Sequence, residues 1–509
     1  MMATEIELKY LIINDNVINK ITQLLDEHCY SYQFSQQELS NTYFDTAEFM
    51  LRQFDMGLRV RCSDNDIEQT IKTAGKVIAG LHQRPEYNVK IENKVPKLAL
   101  FKAEIWPDNI NLEQLQAQLI PMFSTNFERT KWLIANKDGS QIELVFDFGK
   151  IKAGDKEEII CEIELELVSG KTCDLLSFAK LFAQHLSLRP GIKSKAARGY
   201  SLYYQNQGQK ITTIEVTPLE LIPLKYQYTI KQSFTAGLQF SLNQLQQMID
   251  LYCVQPSLTL LAKISEILAL IRHGFWLFQD YLPDNSLVIR AEISKLIKEL
   301  SWVENAIYFQ ELVDKTGNYR KKIAYSEQLL NQLKTEIKHF PELASVVELF
   351  YSVRFNLVQI DLIDLLLSME DEITTEHTNN TDDLLHFSQE KLEASLKLLT
   401  DSLLQDKKMT LDEYLAQQKL LIRSLLTGSW CGSLYNKSDR LEFRNPWLDV
   451  KQGLDELHTL LILQQQLSAI SGEQYEKIHR WLEAKIDSLL LALDCSRSNA
   501  MTIAPYWRR

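Results

Sequence analysis

Apolar and polar residues alternate with period two in short runs through the first two hundred positions, then step by three and four from residue 219 onward. The first run is Glu5-Ile6-Glu7-Leu8-Lys9. A strand places side chains i, i+2 and i+4 on one face, so Glu5, Glu7 and Lys9 point one way and Ile6, Leu8 and Tyr10 the other. The same alternation predicts strands over 40–45, 56–62, 68–73, 84–91, 130–135, 141–147 and 159–168. Lys137-Asp138-Gly139-Ser140 reads as a hairpin turn. Helical periodicity runs over 15–29, with Val17, Ile21, Leu24, Leu25 and His28 on one face, and over 173–187, which Arg189-Pro190-Gly191 breaks. So many strands with so few helices predict an α+β unit built on an antiparallel barrel or a strongly curved sheet.

Beyond that unit the pattern is helical. Leu261, Ile264, Leu268, Ile271, Phe275 and Phe278 form one apolar stripe, and similar stripes run through 289–312, 323–337, 343–369, 411–426, 448–467 and 473–493. The polar stretch 374–383 reads as a loop. Between 205 and 218 Gln, Asn, Gly and Thr replace the patterned residues, and Pro218 and Pro223 follow. The expected organisation is therefore a domain over 1–204, a linker over 205–218 and an all-α helical bundle over 219–509.

Composition narrows the partners more than the fold. A chain of 509 residues is too long for one core, and its net charge of −12 argues against nucleic acid as the main partner. The seven cysteines are scattered and lack metal-ligand spacing, which fits a reducing compartment. No run reaches the roughly 18 apolar residues that span a bilayer, and the chain opens without a basic and apolar leader. A cytoplasmic protein with no membrane partner is expected.

The charged strand faces change the picture. Arg59 and Arg61 share a face, as do Arg84 and Glu86, and Arg129 and Lys131; Lys72 stands alone on its strand. Glu143 and Asp147 share another face, and Glu162, Glu164 and Glu166 a third. Solvent-facing strands mix charges with Thr, Ser and Gln, whereas these faces are nearly pure acid or pure base. Aligned like charges repel unless counter-charges lie close. A barrel with apolar faces outward and charged faces lining its lumen satisfies both requirements. Carboxylates then offer oxygen ligands to a hard divalent cation, and Arg and Lys take a polyanion. Phosphoryl transfer needs this mixture. No glycine-rich phosphate loop is present, and no nucleophile–His arrangement stands out. His82, beside a basic strand, reads as incidental.

At these motifs the chain resembles the CYTH family, the triphosphate tunnel metalloenzymes. The EIELK strand at 5–9 is followed in family order by MGLRVR at 56–61, TIKTAG at 70–75, GLHQRPEYNV at 80–89, RTKW at 129–132, EIELEL at 162–167 and SKAARGY at 194–200. The finer matches, with the helical extension, resemble bacterial inorganic triphosphatases that fuse the tunnel domain to a CHAD domain. The resemblance implies a closed antiparallel eight-stranded β-tunnel with flanking helices. It also implies Mg²⁺- or Mn²⁺-dependent hydrolysis of inorganic triphosphate to diphosphate and phosphate, with water as nucleophile. By matching motifs Glu5, Glu7, Asp147, Glu164 and Glu166 would hold metal, with Glu162 on the same side. Lys9, Arg59, Arg61, Lys72, Arg84, Arg129, Lys131 and Lys195 would hold the phosphates, and Glu86 would orient Arg84 or a water. Glu5, Glu7, Lys9 and Lys131 form the implied catalytic set. Lys76 and Arg198 sit in matching motifs as further candidates, and Tyr43-Phe44-Asp45-Thr46 reads as a packed strand end. For the helical region the CHAD resemblance rests on Ile271-Arg272-His273 before Phe275-Trp276-Leu277-Phe278. It implies polyphosphate as a partner, held by Arg272, His273, Arg290, Lys295, Arg354 and Arg423, with solvated helix surface as the alternative.

Two other readings stay open at this point. The barrel is also compatible with another tunnel-fold enzyme, a nucleoside or thiamine triphosphatase or a class IV adenylate cyclase. Such an enzyme should add contacts to its organic group at the tunnel mouth. A non-catalytic polyphosphate-binding adaptor should instead lack some metal carboxylates, and here every expected acidic position is filled.

Overall fold

Each period-two run becomes a strand in the computed structural model, which describes residues 3–13, 16–63, 66–78, 80–108, 110–136, 139–208, 217–323, 326–375, 384–403 and 408–508. The strands are β1 (Ala3–Ile12), β2 (Ser31–Asp45), β3 (Gly57–Ser63), β4 (Asp66–Lys72), β5 (Lys76–Ile78), β6 (Leu81–Lys90), β7 (Ile120–Ala135), β8 (Gln141–Ala153), β9 (Lys156–Ser169) and β10 (Leu188–Pro190). They pair antiparallel in the order β1-β9-β8-β7-β2-β3-β4-β6, and β6 returns to β1. That pairing closes an eight-stranded barrel, with β5 added beside β6 and β10 beside β1. Closure leaves the ring no free edge.

The alternation sorts inside from outside. Leu8, Tyr10, Leu58, Val60, Ile71, Trp132, Leu144, Ile163 and Leu165 face away from the lumen and are buried. Helices α1 (Val17–Glu27), α2 (Met50–Gln53), α3 (Leu112–Gln118) and α4 (Thr172–His185) accompany the barrel. Val17, Ile21, Leu24 and Leu25 of α1 are buried as expected, and Trp132 Nε1 on β7 donates to Thr22 Oγ1 of that helix at 3.3 Å. Burying such a side chain contributes about 1.5–3 kcal/mol. His28 departs from the predicted face: it caps α1 and is exposed.

At one end the inward face itself turns apolar. Leu39, Tyr43, Phe127, Ile151 and Ile160 share that face with Asn41, Arg129, Asp147 and Glu162, and they pack with Tyr200 and Leu202. Those two belong to α5 (Lys195–Asn206), a helix that the alternation does not predict. Gly199 lets α5 approach this closely, because a Cβ there would stand 2.0 Å from the Phe123 ring.

Other differences have local causes. β2 starts at Ser31, since backbone pairing with β7 continues through 31–38, where almost every residue is exposed and no buried face is formed. Leu188–Pro190 pairs with β1 before the chain breaks at Gly191. Gln205 and Asn206 end α5 instead of beginning a linker. Positions 209–216 of that segment, 137 and 138 of the hairpin turn, and 376–383 of the polar loop lie outside the described residues. Thr374 and Thr375 close a helix.

The chain divides into two compact units, Met1–Glu215 with Leu349–Asp364, and Val216–Glu348 with Leu365–Arg509. The second is helical, including Ile230–Val254, Leu258–Leu277, Leu411–Cys431, Lys437–Gln466 and Gly472–Thr502. The stripe at 289–312 proves to be two helices, Ser286–Glu299 and Trp302–Val313, and Leu384–Ser402 adds a helix outside the named stripes of the expected bundle. Trp430 is fully buried, donates to Leu270 O at 2.9 Å and stacks on Phe234. Gly237 and Gly274 make room for it: a Cβ on either would come within 2.1 Å of its ring. No single described helix is long and apolar enough to cross a membrane, although the pair Leu343–Phe350 and Val353–Ile373, bent by 48°, meets that length and composition together.

Candidate active site in the barrel lumen

The barrel encloses a cavity of about 620 Å³ whose wall includes Glu5, Glu7, Lys9, Arg59, Arg61, Lys72, Arg84, Glu86, Arg129, Glu164, Glu166 and Lys195. Register produces this convergence. β1 and β9 place Glu7 opposite Glu166 and Lys9 opposite Glu164. β1 and β6 place Glu5 opposite Arg84 and Glu7 opposite His82. β4 and β6 place Lys72 opposite Glu86, and β8 and β9 place Glu143 opposite Glu166.

The acids fall into two sets. Glu5, Glu7, Glu143 and Glu166 face the cavity. Burial, opposed by Lys72 and reinforced by Glu7 and Glu86, raises the Glu5 carboxyl to about 8. Burial, then Glu143 and Glu7, raises Glu166 to about 7. At Glu5 and Glu166 burial and neighbouring acids thus outweigh the cations within reach. Asp147, Glu162 and Glu164 form the second set, with one oxygen of each within 4.8 Å of the others. Asp147 and Glu162 are fully buried and do not line the cavity. Arg129 forks onto Asp147 at 2.7 and 2.6 Å and reaches Glu164 at 3.1 Å. Lys9 holds Glu164 at 2.6 Å and Glu162 at 3.2 Å. Desolvation notwithstanding, Lys195, Lys9 and Arg129 hold Glu164 well below the usual carboxylate range.

The basic wall is only partly neutralised. Lys72 pairs with Glu5 and, at 2.9 Å, with Glu86, while Arg59 reaches Glu86 at 3.3 Å. Lys72 and Arg59 thereby outweigh burial and bring Glu86 down to about 2. Among the described residues Arg59 Nε and Arg84 Nε are buried without a hydrogen-bond partner. Arg61 donates to Asn41 Oδ1 at 2.8 Å, and burial with the nearby Arg59 and Arg129 guanidiniums pushes it down to about 9. Donors left over in a closed cavity suit an anion. The oxygen-only acidic sets suit a hard divalent cation such as Mg²⁺ or Mn²⁺.

Most of the predicted site residues converge here. Lys131 does not line the cavity but pairs with Glu143 on its wall. Lys76 is also absent from the lining, and Arg198 lies behind it, bound to Glu162 at 2.8 Å, to Glu158 and to Ile159 O. His82 is buried in the cavity wall opposite Glu7, with Nε2 3.2 Å from Gly191 O. Glu143, which the alternation places on one charged face with Asp147, was left out of the implied ligand set and lines the cavity. Sequence reasoning also passed over Tyr43 and Tyr200, which line the cavity as well as pack.

Comparison with known proteins agrees with this geometry. Residues 3–200 match the CYTH domain model. An inorganic triphosphatase of Haemophilus influenzae is 40% identical over 204 residues, covering 40% of this chain and 56% of that protein, so the alignment spans just over half the relative's length. A Hippeastrum protein classed as an adenylyl cyclase and described as having dominant triphosphatase activity overlaps 41% of this chain and 98% of its own, at 19% identity and a TM-score of 0.31. A CHAD domain from Ricinus communis overlaps 57% of this chain and 98% of its own, at 15% identity and a TM-score of 0.41. The part of this chain that the CYTH domain model matches, residues 3–200, is the charged barrel.

Proposed function

We propose that the barrel hydrolyses inorganic triphosphate to diphosphate and phosphate with Mg²⁺ or Mn²⁺. The observation that carries this reading is a lumen in which the carboxylates of Glu5, Glu7 and Glu166 face the same cavity as Arg61 and as Arg59 and Arg84, whose Nε donors lack a partner among the described residues. The Haemophilus relative, named an inorganic triphosphatase, supports the choice of substrate. Glu5, Glu7 and Glu166 hold the metal, with Asp147 and Glu164 as further ligands. A bound divalent cation neutralises phosphate charge and activates water. Lys9, Arg59, Arg61, Lys72, Arg84, Arg129 and Lys195 bind and orient the phosphates, and Glu86 keeps Arg59 and Lys72 in place. Lys131 acts through Glu143. The test is phosphate release by the full chain from triphosphate, ATP, thiamine triphosphate and long polyphosphate with each metal. Triphosphate should be the best substrate; preference for a nucleotide would sink the reading.

The helical unit is a CHAD-like domain in this reading, with polyphosphate as its ligand and the cytoplasm as its setting. Arg272, Arg290 and Arg423 support it, since after burial the other two guanidiniums lower the affinity of Arg272 for its proton. No ion pair of these three appears among the described residues. The expected face is smaller than the sequence suggested. His273 is buried against Thr427 Oγ1 at 2.9 Å, Lys295 pairs with Glu292, and Arg354 belongs to the other unit.

A further inference from the structure

The ammonium of Lys195 touches three carboxylates at once. Asp147 Oδ2 lies at 2.7 Å, Glu164 Oε1 at 3.0 Å, and Glu162 Oε1 is also in contact. These residues form the close acidic set, so a protein cation occupies the position where three oxygens converge. Lys9 of β1, Arg129 of β7 and Arg198 of α5 itself surround the same carboxylates. With Glu158, which also pairs with Arg198, four negative charges meet four positive ones before any ligand arrives. Adding a divalent ion with every side chain in place would leave an excess of two positive charges. Exchanging it for one ammonium would limit the excess to one, and a triphosphate offers that ammonium a new partner.

Lys195 is the side chain placed to leave. It touches all three carboxylates, whereas Lys9 touches two and stands on a strand paired on both sides. Lys195 follows the N-cap Ser194, whose Oγ accepts from Ala197 N at 3.1 Å, and it also lines the cavity. The rest of α5 is tied down, by Arg198 to β9 and by Tyr200 Oη donating to Asp45 at 2.9 Å. A rotation of one side chain therefore suffices, with no helix movement.

We propose that Lys195 is a tethered counter-cation. It holds the Asp147–Glu162–Glu164 cage closed to divalent metal, leaves it as metal and substrate enter, and then serves as a phosphate contact. The proposal rests on the triphosphatase reading for its last step only. It is tested by titrating Mn²⁺ into the full chain without triphosphate, counting free ion by electron paramagnetic resonance. Lys195→Met should bind Mn²⁺ about tenfold more tightly than the natural chain, equivalent to about 1.4 kcal/mol. Lys195→Arg, which keeps a cation in the cage, should bind as the natural chain does. Equal or weaker binding by Lys195→Met, or equal tightening in Lys195→Arg, overturns the proposal. Should Lys195→Met fail to fold by circular dichroism, the natural chain is labelled with an amine reagent and mapped by mass spectrometry. Mn²⁺ should speed labelling of Lys195, and an unchanged rate overturns the proposal. Neither measurement uses triphosphate, so a natural chain inactive on triphosphate would remove the triphosphatase reading and leave these results standing.

Discussion

Glu5 and Glu166 carry protons at a pH where an exposed glutamate has lost them, being raised to about 8 and about 7 by burial and neighbouring acids. The folded state therefore binds protons that the unfolded chain has released between roughly pH 4.5 and 8. Stability of the metal-free protein should fall as pH rises through that window. Melting temperatures from pH 5.5 to 8.5 in a chelating buffer check this, and saturating Mn²⁺ should restore most at the high end. A flat profile would mean that these carboxyls ionise freely. If Glu7 holds metal as proposed, Glu7→Gln should lower triphosphate hydrolysis by about 10²-fold or more with the fold intact by circular dichroism, since one charged oxygen would be lost. Arg61→Ala should raise KM and lower kcat together, because its donors meet an anion whose charge grows in the reaction. Unchanged KM would place Arg61 outside the substrate's reach. These residues were legible because a strand with pure charge on one face needs an unusual setting. His82 was not, because one His beside a strand has many ordinary roles.

Among the elements, α5 shows most plainly what alternation conceals. Its anchor is the buried Asp45, which accepts from Thr46 N and Leu51 N at 2.8 Å, from Arg52 N at 3.0 Å and from Tyr200 Oη at 2.9 Å. Tyr43-Phe44-Asp45-Thr46 is therefore a junction of β2, α2 and α5. Tyr200→Phe should cost about 0.5–1.5 kcal/mol of stability, the net value of one hydrogen bond. Gly199→Ala should cost about 1–3 kcal/mol, since its methyl would overlap the Phe123 ring. Urea denaturation of both variants checks the ranking, and a neutral Gly199→Ala would show that α5 shifts without cost. The helix was hidden because Lys195-Ala196-Ala197-Arg198-Gly199-Tyr200 shows neither period strongly; its stability comes from packing on an apolar rim that exists only once the barrel has closed.

For the whole molecule, the proposed functions would give each unit its own anion. If Arg272, Arg290 and Arg423 form a polyphosphate site, Arg272→Ala with Arg423→Ala should weaken retention of the full chain on immobilised polyphosphate. The loss should be greatest at low salt, where exposed charges are least screened. Triphosphate hydrolysis should be unaffected in that variant, and unchanged retention would leave the helical unit's ligand open to another chemistry.

Sequence alone determined the strands, their inward faces and the helical character of the rest, because side-chain period in a strand or helix depends only on local backbone geometry. It therefore named both walls of the lumen before any neighbour was known. Only the tertiary structure decided which charges meet. Glu162 and Lys9 are 153 residues apart and touch through register and barrel closure, as do the three carboxylates around Lys195. Whether a carboxylate is free for metal or already held by a lysine depends on distances between strands, and no local pattern encodes those.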